Sequence, residues 1–143
     1  MSDAPPARPP TGETDLARLL RTLRPALDPD EWVFCAHPGD GPPPAALGAE
    51  VAVREAEGWT AVVRREAAER SGLGYAGVYR RVTLTVHSSL EAVGLLAAVA
   101  RALADAGVAC NAVSGLYHDH LFVPATRVED AMAALARLSA RGG

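Results

Sequence analysis

The sequence predicts an α+β fold made of two small modules, each an antiparallel sheet with helices packed on one face. Three observations carry this. Segments of helical and strand period follow one another in the order α-β-β-β-α and then β-α-β-β-α. "GWTAVVRREAAE" and "HDHLFVPATRVEDA" are matching strand-to-helix units in the two halves, although their residue identity is weak. The connections are short, and a split β-α-β arrangement of the ferredoxin-like kind suits both order and length. Each module is also one strand short, an opening strand in the first and a closing strand in the second. Pairing between modules would repair both open edges.

Residues 1–13 are expected to be a disordered tail, because four prolines and few apolar groups cannot build a core. The modules then span 14–76 and 77–143. Leu16, Leu19, Leu20, Leu23 and Leu27 recur at helical spacing; Asp15 or Thr14 can cap this helix, and Pro25 should end it near Arg24. After a "DPD" turn, "EWVFCAHP" reads as a short buried strand closed by Pro38. "PGDGPPPAALG" is a loop. Strands follow near 51–55 and 59–63 around a turn at Glu57 and Gly58, then a short helix near 65–71 that Gly72 ends.

"VYRRVTLTVHS" alternates Val82, Leu84 and Val86 against Thr83, Thr85 and His87, the period of a strand. The next helix is expected over 89–106, with Leu90, Val93, Ala97, Ala100, Leu103 and Ala104 inward and Gly107 just past its end. "VACNAVS" and "HLFVP" are two strands around the turn "GLYHD". "TRVEDAMAALARLSA" closes the chain as a helix with Val128, Met132, Leu135 and Leu138 inward. Thr126 and Glu129 form its T-x-x-E capping box.

Composition excludes several classes of function. A net charge of −3, scattered basic residues and 5% aromatics give no nucleic-acid footprint. Cys35 and Cys110 lie far apart in apolar strands and read as buried free thiols. The N-terminus lacks the apolar core of a secretory signal, and no run of about 18 apolar residues occurs. A soluble, cytoplasmic protein without membrane contact is expected. No G-x-S-x-G, G-x-x-x-x-G-K-[ST] or H-E-x-x-H is present. The expectation is therefore no enzyme, no cofactor and no resident metal.

Three polar clusters remain. In "HSSLEAVGL", Ser88 and Glu91 have the spacing of a capping box. The same helix start presents free N–H groups that suit a ligand carboxylate, provided Glu91 turns outward. In "YHDH", His118 and His120 share a strand face and Asp119 points opposite. The pair can serve hairpin hydrogen bonding, ligand contact or metal, but no spacing nominates a third metal ligand. Asp119 can pair with an ammonium or guanidinium. In "REAEGWT", Glu55 and Glu57 share a face beside Gly58, either as a solvated edge or as an acidic wall across the module junction from "HSSLEAVG". The second arrangement would favour a basic amino acid.

"RVTLTVHSSLEAVGLLAAVARALADAGVACNAVSGLYHDHLFVP" resembles the ACT domain, a small ligand-binding module of amino-acid-regulated enzymes. "LRPALDPDEWVF", "REAEGWTAVV", "TLTVHSSLEAVGL" and "YHDHLFVP" extend the resemblance to a bacterial group of tandem ACT proteins. The arrangement is also similar to the ACT repeats of the eukaryotic cytosolic arginine sensor. The resemblance implies two ferredoxin-like ACT modules and a non-catalytic regulatory protein that acts as a homo-oligomer and binds a small molecule, expected to be an amino acid. It implies ligand contact at His87, Ser88, Ser89, Leu90, Val93, Gly94 and Leu95. "VACNAV" looks like the aspartokinase strand in which an asparagine, here Asn111, faces the effector. Asp119, Glu57 and Gly58 would complete the site. The alternatives are a structural or protein-interaction module without ligand, and a metal-dependent enzyme using the histidines. The chain departs from the group at Trp59, where an aliphatic residue is commoner, and in its longer proline-rich tail.

Overall fold

The computed structural model describes Ala4 and residues 6–142. The part of the expected tail at Met1–Asp3 and Pro5 lies outside these residues. Asp15 starts the first helix, α1 (Leu16–Thr22), by accepting a hydrogen bond from the Arg18 N–H at 3.0 Å. Leu23 ends it ahead of Pro25.

Leu27 does not continue that helix. The chain passes directly into β1 (Pro25–His37), a longer strand than "EWVFCAHP" alone, and Leu27 is 38% exposed within it. The expected "DPD" turn is instead a β-bulge, where pairing with the neighbouring strand shifts between Leu27 and Glu31. Asp28 holds the bulge, accepting from the Asp30 N–H at 2.8 Å and the Trp32 indole N–H at 3.2 Å, and pairing with Arg81 at 2.7 Å. Burial pushes the Asp28 pKa up, but these hydrogen bonds and the Arg81 charge outweigh it, leaving the carboxyl below its usual range.

The remaining elements are β2 (Val51–Glu55), β3 (Gly58–Arg64), α2 (Arg65–Arg70), β4 (Tyr79–Leu84), α3 (Leu95–Asp105), β5 (Asn111–Ser114), β6 (Asp119–Pro124) and α4 (Val128–Arg141). All strand pairs are antiparallel in one six-stranded sheet of order β2-β3-β1-β4-β6-β5. The β1–β4 pairing joins the two ferredoxin-like modules, as their unpaired edges required.

The helices cover one face. Leu19 from α1 and Leu23 just past its end, Leu95, Val99 and Leu103 from α3, and Leu135 from α4 bury against Val82, Leu84 and Leu121. The first helix in the chain thus packs into the core of the second module. Under β1 and β3, a smaller core gathers Val33, Cys35, Ala61 and Val63 beneath Ala68 of α2. On the helix-free face, Trp32, Phe34, Tyr79 and Phe122 pack edge to face at 5.1–6.4 Å. The guanidiniums of Arg64 and Arg81 cover Trp32 at 5.2 and 5.0 Å.

Neither capping box read from the sequence forms. Helix α4 is entered through a 3₁₀ turn (Ala125–Arg127) with no side-chain cap, so Thr126 and Glu129 do not close a box. Helix α3 begins at Leu95, not near Ser89, and its buried stripe is Leu95, Val99 and Leu103. Leu90, Val93, Ala97, Ala100 and Ala104, expected to point inward, are exposed. Cys35 is buried and Cys110 half-buried, both are free, and burial pushes both thiol pKa values up. Among the described residues no helix is long and apolar enough to cross a membrane.

Candidate functional site

The polar junction between β4 and α3 is a loop held from both sides. On one side the N-terminal arm runs parallel to it: the Glu13 N–H donates to His87 O at 2.9 Å, and the Ser89 N–H donates to Glu13 O at 2.9 Å. On the other, the Glu91 N–H bonds Ser89 Oγ at 3.1 Å and the Ala92 N–H bonds Ser89 O at 3.0 Å, folding 89–92 into a turn. Gly94 then redirects the chain at φ +103, a conformation that favours glycine, and no side chain caps the helix behind it. Ser89 and Glu91 therefore shape a turn, and Ser88 does not cap the helix.

Facing this loop is the β5–β6 hairpin, closed by a 2.8 Å hydrogen bond from the Gly115 N–H to His118 O. Register places Asp119 between Leu84 and Ser114 on the helix side of the sheet. Asp119 is 8% exposed; Ser114 Oγ donates to one carboxylate oxygen and Ser88 Oγ makes a long 3.5 Å contact to the other. Between loop and hairpin lies a cavity of about 210 Å³, lined by Ser88, Ser89, Leu90, Leu95, Ser114 and Asp119, together with Ala92, Leu96 and Gly115. Asp119 is the one ionisable side chain in that lining.

The structure thus gathers Ser88, Ser89, Leu90, Leu95 and Asp119, with Gly94 as the turn behind them. Val93 does not line the cavity and is 85% exposed, and His87 lies outside against Tyr117, with ring centroids 5.4 Å apart. Asn111 is not part of the group. It pairs with Phe122, whose side chain lies on the helix-free face, so strand alternation turns it away from Asp119.

Glu57 and Gly58 are also elsewhere. Trp59 beside them pairs with His37 at the far end of β1, whereas Leu84 and Asp119 adjoin Pro25 at its start. β1 and β4 also intervene between β3 and β6. The acidic turn therefore occupies the diagonally opposite corner of the sheet, and the expected acidic wall across the junction does not exist. It lines a separate cavity of about 620 Å³ with His37, Asp40 and Trp59.

His120 faces away from Asp119, its Nδ1 2.9 Å from Thr83 Oγ1. Burial, then the Arg81 and His118 charges, lower its pKa. Among the described residues no three His, Cys, Asp or Glu side chains assemble as a metal site. A hollow of about 440 Å³ near α2 is lined by Asp30, Glu31, Arg64, Arg65 and Glu69, whose charges pair with one another at 2.8–3.4 Å. That pairing leaves little for a ligand. Of the cavity residues, the sequence reading missed Ala92, Leu96, Ser114 and Gly115, although the short turn before Asp119 is the signal that sets Ser114 across from it.

The family described as the ACT domain matches the chain twice, over residues 11–80 and 78–137. Among solved structures the chain is similar to a Vibrio cholerae protein of unknown function, described as a possible transport protein. They share 38% identity and a TM-score of 0.77 over 87% of this chain and 95% of that one. An Agrobacterium tumefaciens protein is similar in fold at 15% identity and a TM-score of 0.69, over 82% and 89% of the respective chains. So is the ligand-free regulatory subunit of aspartate kinase from Thermus thermophilus, at 15% and 0.58 over 83% and 97%. None of the curated proteins compared matches the chain.

Proposed function

Because the chain belongs to the ACT-domain family, carrying two ACT domains in tandem, we propose that it is a regulatory protein that binds an amino acid in the cavity at Asp119. One observation carries this reading: a buried carboxylate is the sole ionisable lining of a small cavity beside an uncapped helix start. The ligand ammonium donates to Asp119, a charge-assisted bond of about 1.5–3 kcal/mol. Its carboxylate lies toward the first turn of α3, where free N–H groups carry roughly half a positive charge. Glu91 is exposed and does not line the cavity, so it does not compete for that place. No imidazole or thiol lines the cavity to activate its serines, which favours binding over turnover.

A thermal-shift screen of the twenty amino acids tests this. A ligand at about 100 times its Kd adds about 2.7 kcal/mol, a rise in Tm of roughly 5–10 °C for a chain of this size. Asp119→Asn keeps the side-chain shape and is expected to abolish the rise. If no amino acid raises Tm, or if Asp119→Asn responds as the parent does, the reading fails.

A further inference from the structure

The lining of this cavity is lopsided, and the asymmetry bears on which side chain the ligand carries. Once an ammonium occupies Asp119, no second carboxylate lines the cavity. Glu55 and Glu57 lie at the opposite corner of the sheet. A second cation would therefore be desolvated without a partner. No arginine or histidine lines the cavity either, so an acidic side chain would meet only Asp119 and its repulsion. Two of the hydroxyls, Ser88 and Ser114, turn to Asp119, and Ser89 Oγ accepts from the Glu91 N–H, which leaves its O–H as the one hydroxyl donor in the lining not directed at Asp119.

What the cavity offers instead is apolar surface. Leu90 and Leu96 line it while remaining 65% and 39% exposed. Val93, in the loop with Leu90, and Leu116 and Tyr117, in the facing β5–β6 turn, are exposed at 85%, 44% and 49%. These are five of the seven large hydrophobic side chains exposed among the described residues, Leu27 and Val53 being the others. Such a concentration beside a concave polar site marks a binding surface rather than scatter. The volume of about 210 Å³ also falls below the range of drug-sized pockets, which suits a small ligand.

We propose that the ligand is an aliphatic amino acid of the leucine, isoleucine or valine kind, its side chain covering Leu90 and Leu96; this rests on the amino-acid reading above. Calorimetric titration of the full chain with leucine, alanine, arginine and glutamate tests it. Each methylene removed from water tightens binding about fourfold, so leucine is expected to bind on the order of fifty-fold more tightly than alanine. Arginine and glutamate are expected at least tenfold weaker than leucine. A double variant, Leu90→Ser with Leu96→Ser, should bring the leucine affinity toward that of alanine; both side chains are partly exposed, and an unchanged Tm would confirm an intact fold. Arginine or glutamate matching leucine, alanine matching leucine, or a double variant with undiminished leucine affinity would overturn the aliphatic assignment and leave amino-acid binding standing. No binding by any of the four, nor by the other amino acids, overturns both.

Discussion

Replacing Gly12 by alanine is expected to unfasten the arm that backs the cavity. Gly12 has no left-handed φ, so space alone decides the outcome. An added Cβ would lie 2.5 Å from Ser88 C and Ser89 N and 2.7 Å from His87 O. All three are backbone atoms and cannot swing aside as a side chain would. The arm must lift, breaking the two 2.9 Å hydrogen bonds between Glu13 and the 87–89 loop. At about 1 kcal/mol net for each bond, the loss is roughly 2 kcal/mol. The surface pair Arg18–Glu13 adds little to that figure. Against it stands the gain of about 0.4–1 kcal/mol when alanine replaces glycine at a compatible site, through a less flexible unfolded chain. The net expectation is a destabilisation of about 1–2 kcal/mol, read as a lower urea midpoint at unchanged m-value. Gly41→Ala is the control, with nothing within 4 Å of the added carbon and no left-handed φ, and it should be neutral or slightly stabilising. A Gly12→Ala protein as stable as the control would show that the arm is not seated against Ser88.

Two further outcomes follow from single side chains. Arg127 donates to Ala106 O at 2.9 Å, at the end of α3, and pairs with Asp130 at 3.0 Å; Arg127→Met should cost about 1.5 kcal/mol in urea unfolding, and no cost would remove its role as a tie between helices. His120 has a lowered pKa in the folded chain, so on acidification the unfolded chain takes up its proton first. Its contribution is intact above the ordinary histidine value of about 6.5 and declines as pH falls through that value toward the folded one. Across a pH series of urea melts, His120→Asn should flatten this decline, and an unaltered slope would contradict the assignment.

Local patterns in the sequence carried most of the elements, and the failures trace to partners that local patterns do not contain. The strand alternation of Val82 and Leu84 is present as read; of the stripe read in α4, Leu135 is buried and Val128, Met132 and Leu138 pack half-buried against the core, with Ala131 and Ala134 buried between them. The bulge at "DPD" depends on Arg81, 53 residues away, and so looked like a turn. At α3 two signals competed, an S-x-x-E box at Ser88 and a glycine at 94. The glycine prevailed, because Leu95, Val99 and Leu103 make the better buried stripe. The same physics divides the candidate site. Ser88, Ser89, Leu90 and Leu95 are sequence neighbours and were read together. Asp119 joined them because hairpin alternation fixes its face. Glu57 was misplaced because only the antiparallel β1–β4 register decides which ends of the modules meet.

That register also bears on why the chain has one such corner rather than two. The modules meet where Trp32 faces Tyr79, and about that point β1, β2, β3 and α2 correspond to β4, β5, β6 and α4. Trp59, opposite His37, then falls where Asp119, opposite Leu84, falls in the other half. Beyond His37 the chain makes only a three-residue 3₁₀ turn (Ala45–Leu47), whereas beyond Leu84 it builds the 11-residue α3. The first module therefore has an indole in place of the buried carboxylate and no helix start beside it. The acidic groups at that corner, Asp40, Glu55 and Glu57, are all exposed, where solvent screens their charge. Backbone symmetry repeats the strands but does not repeat the electrostatics, since a carboxylate acts strongly on an ammonium only where water is largely excluded. In this chain the buried carboxylate is Asp119, and at the matching corner an indole stands in its place while the carboxylates nearby face solvent.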